Sequence, residues 1–170
     1  MKMRRTVQNI SRSVVLAGLL LAQAQPSVQA RQAARTDIAI VAHSNLPVDD
    51  LSFAELRKVA LGDRQYWTTN LRVTLLLRAP VSVERDIVLQ RVYEMSESQF
   101  RQYWIGKVFR AEVASGPKIV NSTDAAIGLV SSLPGSIAFI DSAQVPKNLK
   151  IIRIDGKLPG QEGYRLVSTR

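Results

Sequence analysis

Short runs of β-branched and aliphatic residues alternate with segments that carry helix-start signals, and this alternation leaves few folds open to the chain. Residues 37–42 (DIAIVA) read as a buried strand, and residues 72–77 (RVTLLL), 118–120, 136–140 (SIAFI) and 149–154 read as further strands. Between the first two, Ser52-Phe53-Ala54-Glu55 has the form of a capping box. It opens a helix with Phe53, Leu56, Val59 and Ala60 at helical spacing, and Gly62 stands where a left-handed terminator is wanted. Residues 64–70 read as a turn around Trp67, and residues 83–93 as a helix whose apolar side holds Ile87, Val88 and Val92. Ser96 and Gln99 form a second capping box, ahead of Phe100, Tyr103, Trp104 and Val108. Asn121 or Ser122 caps a helix containing Ala125, Ile127, Leu129 and Val130. Strands alternating with helices predict an α/β fold, a mostly parallel sheet flanked by helices. Such sheets bind ligands where strands end and helices begin.

Two domains of different purpose are expected. Residues 1–30 read as a secretory signal peptide: Lys2, Arg4, Arg5 and Arg12 precede an apolar run over residues 14–22. That run is shorter than the ~20 residues a membrane span needs. Pro26 follows, then a small-residue pattern at Val28-Gln29-Ala30, with Ala22-Gln23-Ala24 as a second cleavage candidate. Residues 31–170 read as one domain, with a Gly- and Pro-rich, loop-rich tail over 155–170. The expected location is periplasmic or secreted, with no stable span after cleavage.

Charge and chemistry exclude more than they select. Four of the nine net positive charges fall in the signal, and the others are scattered among acids, so nucleic-acid binding is not favoured. Zero cysteines exclude thiolate metal sites and cysteine nucleophiles. His43 is the sole histidine, so a histidine metal cluster cannot be assembled and a Ser–His–Asp triad would have to use it. Asp49-Asp50 suits the start of a helix better than a cation site. No enzyme, metal or cofactor is predicted. The aromatic side chains Phe100, Tyr103, Trp104 and Phe109 read first as core and second as an interface.

One segment retains a binding possibility. Arg78-Ala79-Pro80-Val81-Ser82 leaves a strand and enters a helix, whose first amides carry partial positive charge. Arg78 offers a charged fork for an oxyanion and Ser82 a hydroxyl. Alternatively, Ser82 only caps the helix and Arg78 pairs with a nearby acid.

The stretch DIAIVAHSNLPVDDLSFAELRKVALGDRQYW, the Arg78-x-x-x-Ser82 spacing and the strand LPGSIAFI over 133–140 together resemble phosphate ABC transporter substrate-binding proteins, of the type II periplasmic binding protein superfamily. The resemblance covers most of residues 37–141 and implies a single binding-protein lobe. It implies phosphate or a similar oxyanion as ligand, held by Arg78, Ser82 and the Val83 backbone amide, with Ser44 as a further candidate, and an ABC transporter or another envelope protein as partner. Val83 and Glu84 depart from the Gly and Thr that follow this Ser in the family. Glu84 sets a negative charge beside the oxyanion position while favouring the helix start. The alternative is therefore an interaction module that keeps the fold and has lost the ligand. An ion pair between Glu84 and Arg78 is the observation that separates the two.

Overall fold

The computed structural model describes residues 35–168; the segment expected to be a signal peptide and its two cleavage candidates lie outside them. The centre is β1 (Thr36–Ala42), whose residues Ile38 to Ala42 are fully buried. The other sheet strands are β2 (Asp50–Leu51), β5 (Thr74–Arg78), β6 (Lys118–Val120), β7 (Ser136–Asp141) and β8 (Lys150–Ile154), in the order β2-β8-β1-β7-β5-β6, with β9 (Val167–Ser168) also on β1. The pairings β2–β8, β5–β6 and β5–β7 are parallel. All three antiparallel pairings within this sheet involve β1, which alone runs against its other strands.

The helices α1 (Phe53–Ala60), α2 (Val83–Val88), α3 (Glu97–Phe109) and α4 (Thr123–Ser132) cover the sheet. Side chains alternate across a strand. Ile38, Ile40 and Ala42 enter the core that also holds Phe53, Leu56, Ile87 and Phe100, while Ala39 and Val41 meet Ala126 and Val130 of α4. Burial on both faces explains why β1 reads as a continuous apolar run.

Both capping boxes form. Ser52 accepts from the Glu55 amide and Ser96 from the Gln99 amide, and each partner side chain returns to the cap amide. Gly62 takes φ +75° just beyond α1, with the Trp104 ring lying against its Cα. Ser122 caps α4, on which Ala126 and Val130 are the buried residues and Ala125 is exposed.

Three segments differ from the sequence reading. The turn read over 64–70 and the Arg72 end of the strand read over 72–77 form a small hairpin, β3 (Tyr66–Thr68) with β4 (Leu71–Arg72), so that the sheet strand starts at Thr74; the hairpin is pinned by the Trp67 indole donating to the Gly135 carbonyl at 2.8 Å. The helix read over 83–93 is α2 followed by one π-helical turn, Leu89–Tyr93, which ends at Glu94 in the left-handed region. The buried Tyr93 hydroxyl donates to the Ala60 carbonyl at 2.9 Å, and burial pushes its phenol pKa up. The tail is loop-rich but docked. Tyr164 donates to the Ile38 carbonyl at 2.7 Å, Leu166 is buried, and the Asp155 carboxylate accepts from the Phe53 amide at the start of α1.

Candidate functional site

Arg78 closes β5, in register with Val120 at the end of β6. The Ala79 amide donates to the Val120 carbonyl, so the parallel pair leads the chain straight into the loop. In that loop Val81 has φ +71° and is 99% exposed. A β-branched residue is strained in this left-handed region.

Ser82 caps α2. Its hydroxyl oxygen accepts from the Arg85 amide at 3.3 Å, and its proton goes to the Ala79 carbonyl at 3.1 Å. The hydroxyl is thus committed to the turn. Val83 is the first helical residue, so its amide stands at the start of α2.

Glu84 turns inward and is only 8% exposed. Its Oε1 lies 3.6 Å from Arg78 Nε, the ion pair that the sequence reading set as the discriminating observation. The pair is too long for a hydrogen bond. Arg78 Nε and Nη1 are buried without a hydrogen-bond acceptor. The carboxylate therefore faces the guanidinium without saturating its donors.

Sequence reasoning missed Arg85, the residue that holds the loop in place. It is 2% exposed, and its Nη1 donates to the Arg78 carbonyl at 2.8 Å. Nε and Nη2 form a fork onto Glu97 at 2.8 and 3.0 Å, and the guanidinium carbon lies 4.9 Å from the Phe100 ring centroid. The hydrogen bonds from Arg85 hold the Glu97 carboxyl below its ordinary pKa. The partners are twelve positions apart on two helices, so no helical spacing rule could pair them.

Ser44 does not join this group. Because β1 alone is antiparallel, its carboxyl end meets the amino ends of β7 and β5: Ala42 pairs with Ile137, and the His43 amide donates to the Ser136 carbonyl. Ser44 thus follows the opposite edge of the sheet from Arg78, about 13 Å away along the strands. The expectation that it shares the anion site is corrected by strand direction. Nearby, His43 Nδ1 accepts from the Asn45 amide at 3.1 Å, a local turn contact. Asp49 pairs with Lys150 at 2.7 Å and Asp50 accepts from the Gly156 amide, so both acids tie the tail and β8 to the sheet edge. Among the described residues no cluster of carboxylates and histidine could hold a metal.

The chain matches no family model, and no curated protein matches it in sequence. Solved structures do match. An ABC-type phosphate transport receptor from Vibrio cholerae is 18% identical with a TM-score of 0.63, covering 78% of this chain and 54% of the receptor. PstS from Borrelia burgdorferi is 14% identical with a TM-score of 0.62, covering 79% and 55% respectively. A protein from Clostridium perfringens, assigned as a phosphate ABC transporter substrate-binding protein and solved with bound phosphate, is 19% identical with a TM-score of 0.59, covering 73% and 47%. The chain spans about half the length of these proteins and shares the fold of that half.

Proposed function

We propose that this chain is an exported, solute-binding-protein-like module of the phosphate-receptor fold. In this reading its own Glu84 carboxylate takes the place of the ligand oxyanion, and it works with a protein of the cell envelope, an ABC transporter among the candidates. The observation that carries this is the largely buried Arg78–Glu84 pair at 3.6 Å. A bound oxyanion and a buried carboxylate compete for one guanidinium, and the internal group has no association entropy to overcome. Export is supported by the likeness to phosphate transport receptors and by the N-terminal pattern. No described helix is long and apolar enough to cross a membrane.

A second reading, weak oxyanion capture, draws on the two unsaturated Arg78 N–H groups. Buried donors without acceptors are costly, and a tetrahedral oxyanion would satisfy them. Calorimetry and thermal shift with phosphate and with sulfate separate the readings. The internal-carboxylate reading expects no heat and no shift beyond a general salt effect at millimolar anion. Saturable phosphate binding that Arg78→Met abolishes would reject it in favour of capture.

A further inference from the structure

Helix α3 buries one face and leaves apolar side chains on the other. Phe100 and Trp104 enter the core, whereas Ile105, Val108 and Phe109 lie on the surface, with Phe109 89% exposed and Ile105 61% exposed. Three depressions adjoin here. They share Trp104 as a common wall, and two of them share Ile105, so the apolar stripe of α3 runs on to half-exposed Ile119 on β6. Monomeric domains seldom leave such a contiguous apolar surface uncovered.

The charge lining this surface is mostly positive. Arg64, Arg72, Arg85, Arg101 and Lys118 line the depressions, against a single carboxylate, Glu97. Glu97 is already engaged by the Arg85 fork. Arg72, Arg101 and Lys118 are exposed and have no ion pair at 4 Å among the described residues. A second copy of the chain placed on this face would bring like charges together around the apolar stripe, which opposes self-association.

We infer that the outer face of α3, with the groove over Trp104, is the docking surface for a partner polypeptide segment that presents apolar anchors flanked by Asp or Glu. The anchors cover Phe109, Ile105 and Ile119, and the acids meet Arg72, Arg101 and Lys118. The inference rests on the reading that the chain works through a protein partner. It adds where the partner binds and what chemistry it carries. The surface lies on α3 and β6 and reaches Pro80 and Arg85, beside the loop that carries Arg78.

The test is selection of a random peptide library on the full-length chain as the cell expresses and processes it. Selected peptides should combine apolar or aromatic anchors with acidic residues. Phe109→Ser, at a position exposed enough to leave folding intact, should weaken the selected peptides by about tenfold or more. The charge swap Arg101→Glu with Lys118→Glu should switch the selected flanks from acidic to basic, a change that a loss of folding cannot produce. Peptides without acidic preference, or binding indifferent to Phe109→Ser, overturn the inference. So does Phe109-dependent binding to phosphatidylglycerol vesicles in place of peptides, or Phe109-dependent dimers in sedimentation. Saturable phosphate binding would defeat the internal-carboxylate reading without altering the peptide result, so the two can fail separately.

Discussion

Replacing Glu84 by Ala removes the only carboxylate that pairs with Arg78 among the described residues and leaves a guanidinium whose Nε and Nη1 are buried. At 3.6 Å, Coulomb attraction across an effective dielectric near 20 is about 5 kcal/mol, and removing one member of a buried pair costs ~3–5 kcal/mol in measured cases. No hydrogen bond closes this pair, so the lower end applies, about 3 kcal/mol. For a domain of this size that lowers the melting temperature by about 10 °C. The same substitution opens space beside Arg78 for a small anion. Phosphate, sulfate or acetate at about ten times its dissociation constant should then restore about 1.4 kcal/mol, or about 5 °C. Differential scanning calorimetry of the wild type and of Glu84→Ala, with and without each anion at constant ionic strength, measures both effects. Arg78→Met combined with Glu84→Met should recover most of the loss, because an apolar pair removes both charges. An unchanged melting temperature for Glu84→Ala, or a destabilised variant that no anion rescues, would refute the assignment of Glu84 as an internal substitute for an oxyanion.

Other positions give independent checks. Glu97 has a lowered pKa in the folded chain, so its contribution to stability is present above its ordinary value of 4.5 and is lost as pH falls through the lower folded value. Thermal unfolding between about pH 6 and pH 3 should show this loss, and Glu97→Gln should flatten it. Gly135 sits at φ +76°, where an added Cβ would run into the Arg72 carbonyl, so Gly135→Ala should destabilise by about 2 kcal/mol or more in chemical denaturation. Val81→Gly relieves a left-handed β-branched residue and should raise the melting temperature, a net gain of about 0.5–1 kcal/mol after the entropy of glycine. Leu166→Ala should cost about 2–5 kcal/mol in urea unfolding if the docked tail is part of the domain, and close to nothing if the tail is only attached.

Local rules account for much of what was legible in the sequence. A capping box is a contact between residues three apart, so Ser52 with Glu55 and Ser96 with Gln99 carry their helix starts wherever the chain places them. Burial on both faces produces the continuous apolar runs of β1, β5 and β7, which is why the strands and the α/β class could be read. The spacing of Arg78 and Ser82 located the strand-to-helix loop correctly, but it could not say which groups the side chains meet. That was decided by tertiary structure. The inward turn of Glu84, the fork from Arg85 to Glu97 and the Tyr164 hydroxyl on Ile38 join residues on separate elements, and no sequence period encodes them. Strand direction had the same character: only the assembled sheet sets β1 against its neighbours, and that reversal moves Ser44 to the edge opposite Arg78. The aromatic residues of α3 show the division most plainly. Helical spacing made Phe100, Trp104 and Phe109 equal candidates for the core, and only the packing of α3 against the sheet buried two of them and left Phe109 outside.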